Sequence, residues 1–388
     1  MKRLVVVAMF LGLGLGLGLV AQACNVPVFR YALERWNSDP YRVVLFHRGP
    51  LTAAERETLG PLYDQQDKAL ANLTFRTVDV GELIGDDEDA KADRELLAAQ
   101  ADSQLPRLML QYPEPLRNNA VVWSAPVERE SVASLTQSPL RSELVRRLAD
   151  GQTAVWLLLE CGEKEKDDAA EALIQAELTK LSTELKLPEL TDSPSDELLS
   201  AKPLEIAFSL QRVSRDDAKE AALAAMLLHS ESDLAERSDP MVFPVFGRGR
   251  ALLPLVGAGI TAENVHDSAA FLVGACSCEV KDLNPGFDLL LAAEWDKLLS
   301  EDGVPFVSVA RSDVDTKGPA QLVPIPAGSQ PTTVTVPARV VVVNYPSPAM
   351  LMTPVTWIVV GALVSLLVVV AIVVAMSGSL RSSSPGER

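Results

Sequence analysis

The chain has 388 residues, with 35 basic and 52 acidic side chains, four cysteines and three histidines. A formal net charge of −17, without a basic patch interleaved with aromatic residues, disfavours nucleic acid as a partner. Four cysteines are too few for a disulfide-dense scaffold, and three histidines far apart in sequence predict no multi-histidine metal site. We therefore expect no metal and no other cofactor.

The N-terminus has the pattern of a cleavable export signal. Two basic residues precede an apolar run, and Ala21-Gln22-Ala23 supplies small residues at the positions that the peptidase requires. We predict a signal peptide over residues 1–23 and a mature chain that begins at Cys24; an uncleaved membrane helix is the alternative. A cysteine at the cut also leaves lipidation of Cys24 open, although a branched aliphatic residue is usual where Ala21 stands.

An uncharged run near the C-terminus is long enough to span a membrane. Residues 355–376 carry no formal charge, and at about 1.5 Å per residue such a helix crosses a hydrocarbon core of about 30 Å. Arg381 and Arg388 follow the run, which predicts that the tail, residues 377–388, stays in the cytoplasm. We predict a single-pass cell-membrane protein whose acidic N-terminal part is extracytoplasmic. The short Gly-Leu signal favours a bacterial source.

Between these ends, strand-like and helix-like segments alternate in two successive sets. Each set has the order β-α-β-α-β-β-α, so we predict an α/β fold of two consecutive units followed by the transmembrane helix. The predicted strands are Arg42–His47, Leu73–Val80, Arg107–Tyr112 and Ala120–Ser124, then Ala154–Glu160, Leu204–Ser209, Met241–Phe246 and Ala251–Val256. The predicted helices cover 52–71, 87–101, 131–150, 167–185, 215–228, 261–274 and 284–299.

The same pattern defines the domain boundaries. We place the first domain at residues 24–151, the second at 152–311, and a Pro-, Thr- and Ser-rich stalk at 312–354. The stalk includes a membrane-proximal strand, Arg339–Tyr345.

The order of elements and two local sequences resemble the thioredoxin fold. His47-Arg48-Gly49-Pro50-Leu51 stands where that family has its Trp-Cys-Gly-Pro-Cys turn, and Glu160-Cys161-Gly162-Glu163-Lys164 takes the equivalent place in the second unit. The resemblance implies that Pro106 and Pro244 match the cis-proline opposite the active-site turn. Both turns lack the Cys-x-x-Cys pair, so the dithiol exchange of the family is not carried over.

Cys161 is the candidate catalytic thiol, because it lies between a predicted strand and a predicted helix. The helix dipole, aided by Lys164 or Lys166, would stabilise a thiolate and lower the thiol pKa below its usual value of about 8.5. Neighbouring glutamates act against this shift. A single thiol can attack a disulfide but cannot resolve the mixed disulfide that results.

Cys276-Ser277-Cys278 is a second sulfur-containing motif. It could bind a soft metal with help from Cys161 or His266, or form a strained disulfide. It could instead form a structural disulfide to Cys24 or Cys161, or remain as buried thiols. The sequence leaves these alternatives open.

Two further motifs have simple interpretations. Asn72-Leu73-Thr74 matches an N-glycosylation acceptor, which matters only in a eukaryotic secretory pathway. Gly247-Arg248-Gly249-Arg250 is interpreted as a hairpin turn rather than an anion-binding nest.

The pattern favours a non-catalytic interaction module over an enzyme, because the turn cysteines are lost while the order of elements is kept. We expect such a module to bind a protein partner at the outer membrane face, in a bacterial envelope or membrane complex. The alternative is a thiol-disulfide oxidoreductase-like or soft-metal-handling protein that uses Cys161 with Cys276 or Cys278.

Overall fold

The computed structural model describes residues 24–300 apart from 69, 84–87, 101–103, 114–120 and 277–279. The predicted signal peptide, stalk, membrane-proximal strand, spanning helix and tail lie outside these residues. Within them, none of the helices combines the length and apolar character that a membrane crossing needs. They form one compact α/β unit that contains two sheets.

We call the elements around the first sheet the first module. Helix α1 precedes it, and the bounds are α1 Val28–Arg35, β1 Tyr41–His47, α2 Ala53–Lys68, β2 Leu73–Asp79, α3 Glu88–Ala98, β3 Arg107–Gln111, β4 Val121–Pro126, α4 Arg129–Thr136 and α5 Pro139–Ala149. The strand order is β2-β1-β3-β4. Strand β1 is parallel to β2 and antiparallel to β3, which is antiparallel to β4.

The second module surrounds the second sheet. Its bounds are β5 Ala154–Leu159, α6 Lys164–Glu184, β6 Phe208–Val213, α7 Ala221–Leu228, β7 Met241–Phe246, β8 Arg250–Ala251, β9 Leu255–Val256, α8 Ala262–Val273, β10 Phe287–Asp288 and α9 Trp295–Leu299. The strand order is β10-β8-β7-β5-β6, and β9 pairs with β7. Strand β5 is parallel to β6 and antiparallel to β7. The order β6-β5-β7-β8 therefore repeats the order of the first sheet.

The predicted α/β class is confirmed, but several predicted bounds are wrong. The strand predicted at Leu204–Ser209 lies at Phe208–Val213, where it pairs with β5. The helix predicted over 215–228 begins only at Ala221, because Ala218–Glu220 forms a 3-10 turn whose first amides are capped by Asp217. The predicted helix 131–150 is two helices, because Pro139 begins a new helix whose first amides are capped by the Ser138 side chain. The predicted strand Ala251–Val256 is divided into β8 and β9 around Pro254, which has no N–H to donate to a ladder.

Both central strands are buried on their two faces, which explains their continuous apolar sequences. In β5, Trp156 and Leu158 face a cluster built with α1, α6 and α8, while Leu157 and Leu159 face a larger cluster. In β1, Val43 likewise contributes to that larger cluster, which contains residues of both modules and of helices α2, α4, α5 and α7. The two modules therefore share one core.

The N-terminal segment, residues 24–36, packs on the second module, whereas we predicted that it begins the first domain. Its apolar side chains lie in the cluster on the far face of the second sheet. The amide of Val28 donates to the Gly274 carbonyl, and that of Cys276 donates to the Val26 carbonyl, both at 2.9 Å. Sequence order alone did not reveal this pairing, because it joins positions about 250 residues apart.

Residues 287–299, which we call the C-terminal strap, pack against the first module. The predicted helix 284–299 is wrong over most of its length: β10 is extended, and only Trp295–Leu299 is helical. Leu289, Leu290 and Leu291 are almost fully buried in the shared core. Three leucines in succession suit a strap that is enclosed on several sides, not a helix with one apolar face.

Candidate functional site

The two turns that resemble the thioredoxin motif occupy equivalent places in the two sheets. Extending the β1–β3 register by one residue puts His47 opposite Pro106, and extending the β5–β7 register puts Glu160 opposite Pro240. Each turn also contains a glycine with positive φ, +66° at Gly49 and +90° at Gly162. A left-handed residue at the same place in both turns supports the alignment made from the sequence.

The proline predictions have different outcomes. The Leu105–Pro106 peptide bond is cis, as predicted. The prediction for Pro244 is wrong: among the described residues only the bond before Pro106 is cis, and Pro244 lies inside β7, paired with Trp156. The residue equivalent to Pro106 is Pro240, directly before β7. The sequence prediction missed it because it did not place the start of β7 relative to the turn.

A carboxylate from β2 holds the first turn. Asp79 Oδ1 accepts the backbone N–H of Gly49 at 3.1 Å and that of Gly81 at 2.8 Å. These bonds, from Gly81 first and Gly49 second, lower the pKa of Asp79. His47 Nδ1 lies 2.8 Å from the Gly49 carbonyl. The imidazole is thus used inside the turn, and Arg48, where the family has its first cysteine, is exposed.

A carboxylate also holds the second turn, but it comes from the helix that follows. Asp167, which is buried in the first turn of α6, accepts the backbone N–H of Cys161 at 2.8 Å and that of Gly162 at 3.0 Å. The donors that could have faced an anion at the N-terminus of α6 are therefore partly satisfied within the protein.

Cys161 does not have the activated thiol that its position led us to expect. Burial raises its pKa, and the carboxylates of Asp167 and Glu163 raise it further, against one backbone hydrogen bond from Glu163 that lowers it. The thiol therefore stays protonated at neutral pH, which disfavours nucleophilic attack. Lys164 and Lys166 give little support to a thiolate, since their ammonium groups pair with Asp168 and Glu163.

The other described cysteines lie in the apolar cluster beside the N-terminal segment. Cys24 is 2% exposed, and its Sγ donates to the Ser195 carbonyl at 3.1 Å. A lipid on this sulfur would replace that bond and remove the side chain from the cluster, so the packing disfavours lipidation. Cys276 is also buried, and none of Cys24, Cys161 and Cys276 is disulfide-bonded to another of the three. Cys278 lies outside the described residues, and a bond from it to Cys24 stays a prediction.

A buried polar cluster surrounds a cavity of about 10 Å³, the room that one water molecule needs, at the β7–β8 turn. Arg248 pairs with Asp296 at 2.6 Å, Arg250 lies 3.3 Å from Asp288, and Lys281 contacts Asp39 at 2.8 Å. From the sequence, Arg248 and Arg250 were interpreted as turn residues. The cluster was missed because it joins residues as far apart as 39 and 296. Three cations balance three carboxylates here, so the cavity offers no net charge to an ionic ligand.

The glycosylation motif is used as an internal tether. Asn72 Nδ2 donates to the carbonyls of Asp39 at 2.9 Å and Leu289 at 3.1 Å, while Oδ1 accepts the N–H of Leu291 at 2.7 Å. An amide engaged on three sides is not available to carry a glycan in the folded protein.

Metal chemistry gains no support within the described ranges. No group of three or more His, Cys, Asp or Glu side chains there is arranged to hold a metal ion. His266, considered as a ligand for the Cys276 motif, is exposed and its Nδ1 lies 3.2 Å from Asp267. Comparison of the chain with family models, with curated proteins and with solved structures found no significant match.

Proposed function

We propose that this chain is a membrane-anchored, extracytoplasmic interaction module built from two degenerate thioredoxin-like units, without thiol catalysis, in a bacterial envelope or membrane complex. The thioredoxin-like assignment is supported by the shared strand order β2-β1-β3-β4 and β6-β5-β7-β8, by the aligned turns, and by the cis-proline at Pro106. The membrane anchor and its orientation are supported by the sequence of residues 355–376 and the arginines that follow.

The chemistry of the turns is the observation on which the proposal depends. The first turn has no sulfur, and in the second a single thiol, Cys161, is kept protonated by burial and by two carboxylates. Lys164 stands where a resolving cysteine would be needed to release a mixed disulfide. Both turns are nevertheless held in defined geometry by a buried or half-buried aspartate. Turns that have a defined backbone geometry but no reactive thiol can contact a partner without catalysing thiol exchange.

The first experiment measures alkylation of Cys161 in the full-length protein between pH 6 and pH 10, by mass spectrometry of the peptide that contains it. We expect slower labelling than that of glutathione near pH 7 and a midpoint above the usual thiol pKa of about 8.5. Glu163→Gln and Asp167→Asn should each move the midpoint down, because each removes a negative charge near the sulfur. Rapid labelling of the native protein below pH 7 would support the thiol-dependent alternative instead.

A second experiment tests the anchor and the partner. Photo-crosslinking from an unnatural amino acid at Arg48, in native membranes, should give defined adducts with a protein partner; the same residue placed at Lys180, on the exposed face of α6, is the control. Recovery of the full-length chain from the soluble cytosolic fraction, with residues 1–23 still attached, would contradict the anchored architecture.

A further inference from the structure

We propose that the two ends of the described chain lock the modules together: residues 24–36 pack on the second module and the C-terminal strap packs on the first. The two modules therefore fold and unfold as one cooperative unit. This cooperativity is a property of the fold and does not depend on whether the turns bind a partner. It rests on two contact regions that connect each end of the described chain to the module farther from it in sequence.

The N-terminal half of the lock is the contact of residues 24–36 with the second module. Helix α1 contains a fully buried ion pair, Arg30 to Glu34 at 2.7 Å. Arg30 also donates to the carbonyls of Ser200 at 2.6 Å and Lys202 at 2.7 Å, while Glu34 accepts the N–H of Leu199 at 2.8 Å. These bonds of Arg30 and Glu34 form only when the segment around Ser200 is in place, so α1 and the second module depend on each other.

One hairpin turn connects the N-terminal half of the lock to the strap. The hairpin turn between β7 and β8 lies against both: a Cβ on Gly247 would stand 2.6 Å from Ala32 of α1, and a Cβ on Gly249 would stand 2.2 Å from Leu291 of the strap. A side chain at Gly247 would therefore clash with α1, including its backbone, and one at Gly249 would displace the Leu291 side chain. The turn acts as a spacer between the chain ends.

The C-terminal half of the lock is the contact of the strap with the first module. Asn72, just before β2, makes its three hydrogen bonds to Asp39, Leu289 and Leu291. Arg141 of α5 donates to the Leu290 carbonyl at 2.7 Å, and the Tyr41 hydroxyl donates to the Asp288 carbonyl at 2.8 Å. Tyr41 and Arg141 are buried, so removing the strap would leave the Tyr41 hydroxyl and Nη1 of Arg141 without these acceptors.

Direct hydrogen bonds also join the two modules. The Tyr112 hydroxyl bonds to the Met226 carbonyl, and Ser134 Oγ accepts the N–H of Ala222 at 3.0 Å. Glu220 accepts the N–H of Leu140 at 3.0 Å. Each pair joins the first module to α7 or the turn before it. An exposed linker between independent domains has few such contacts. The shared core and the exchanged ends therefore predict a single unfolding transition.

Hydrogen exchange of the full-length protein in detergent micelles tests the lock. Asn72→Ala loosens the strap at the first module, and Val265→Ala removes two methyl groups from the fully buried core of the second. If opening is global, each variant lowers the protection of β1 and of β5 by the same factor, about tenfold or more for the loss of buried hydrogen bonds or core packing. Using two variants, one in each module, separates coupling from local damage.

The control is Asn264→Ala, since Asn264 is exposed next to Val265 and its side chain bonds only to the nearby Gly259 carbonyl. It should leave the protection of both strands unchanged to within about twofold. A fall confined to β1 in Asn72→Ala, or to β5 in Val265→Ala, would overturn the proposal and establish two independent modules.

Discussion

The turn after β1 and the turn after β5 have the same backbone design and different chemistry. In both, a glycine with positive φ follows the strand, a proline stands opposite the first residue of the turn, and an aspartate binds two backbone N–H groups. The aspartate comes from the neighbouring strand in the first module and from the following helix in the second. The comparison teaches that the shape of this turn does not depend on a thiol, because the first turn has the same shape without one.

The largest effect is expected at the buried ion pair of α1, which bonds to the second module. Arg30→Met removes the buried partner of Glu34, which keeps its ion pair with Arg35 at 3.1 Å, and takes the donor from the Ser200 and Lys202 carbonyls. We therefore expect a loss of about 3–5 kcal/mol in the free energy of unfolding. Lys68→Met is the matched control, since its i,i+4 partner Asp64 is exposed and such a pair contributes about 0.5 kcal/mol or less. Denaturant unfolding of both variants measures the difference; equal losses would contradict it.

The second prediction compares the carboxylates of the two turns. Asp167→Ala removes a buried carboxylate and leaves the partly buried N–H groups of Cys161 and Gly162 without their acceptor, which should cost about 2–4 kcal/mol. Asp79→Ala removes the equivalent acceptor from a half-buried place, where water can replace it, and should cost less. Chemical denaturation followed by tryptophan fluorescence compares the two. A larger loss at Asp79 would mean that the first turn is the more important to stability.

The third prediction tests whether the two glycines are equivalent. A Cβ on Gly49 or on Gly162 would meet nothing within 4 Å, so Gly→Ala at either position adds only the strain of a positive φ. We expect a loss of about 1–2 kcal/mol at each, measured by unfolding. Gly259, which has equally open space and no positive φ, is the control: Gly259→Ala should change the free energy of unfolding by less than about 0.5 kcal/mol. A neutral Gly49→Ala would show that the first turn relaxes.

The fourth prediction concerns pH and is smaller, because Asp79 is partly exposed. The folded pKa of Asp79 is lowered, so its bonds stabilise the fold above the unfolded value of about 3.9 and this contribution is lost as pH falls through the folded pKa. Exchange of the Gly49 and Gly81 amides, corrected for the intrinsic rate, should therefore increase below about pH 4. Asp79→Asn should abolish this dependence, and its persistence in the variant would assign the effect to another group.

The smallest effect is expected at the thiol itself. Cys161→Ser keeps a side-chain group that can donate to Asp167, so the free energy of unfolding should change by less than about 0.5 kcal/mol. Crosslinking to the partner from position 48 should be unchanged as well. Loss of adducts in this variant would show that the thiol takes part in the function.

The sequence alone determined the α/β class, the repeated order of elements and the alignment of the two turns. These follow from local signals: apolar periodicity defines strands and helices, and glycine and proline mark the turns. The cis-proline at Pro106 was expected from the resemblance to the thioredoxin fold and not from these local signals. Asp79 and Asp167, which hold the turns, were not identified, because acceptance of a backbone N–H has no sequence signature when the acceptor comes from another element.

Only the tertiary structure decided how the modules are joined. The segment around Val28 packs on the second module, and the strap around Leu290 packs on the first; these contacts connect distant positions through a shared core. The pKa of Cys161 was decided in the same way, because burial and the carboxylate of Asp167 outweigh the helix dipole that the sequence suggested. Local patterns specify elements, whereas burial and charge depend on which elements meet.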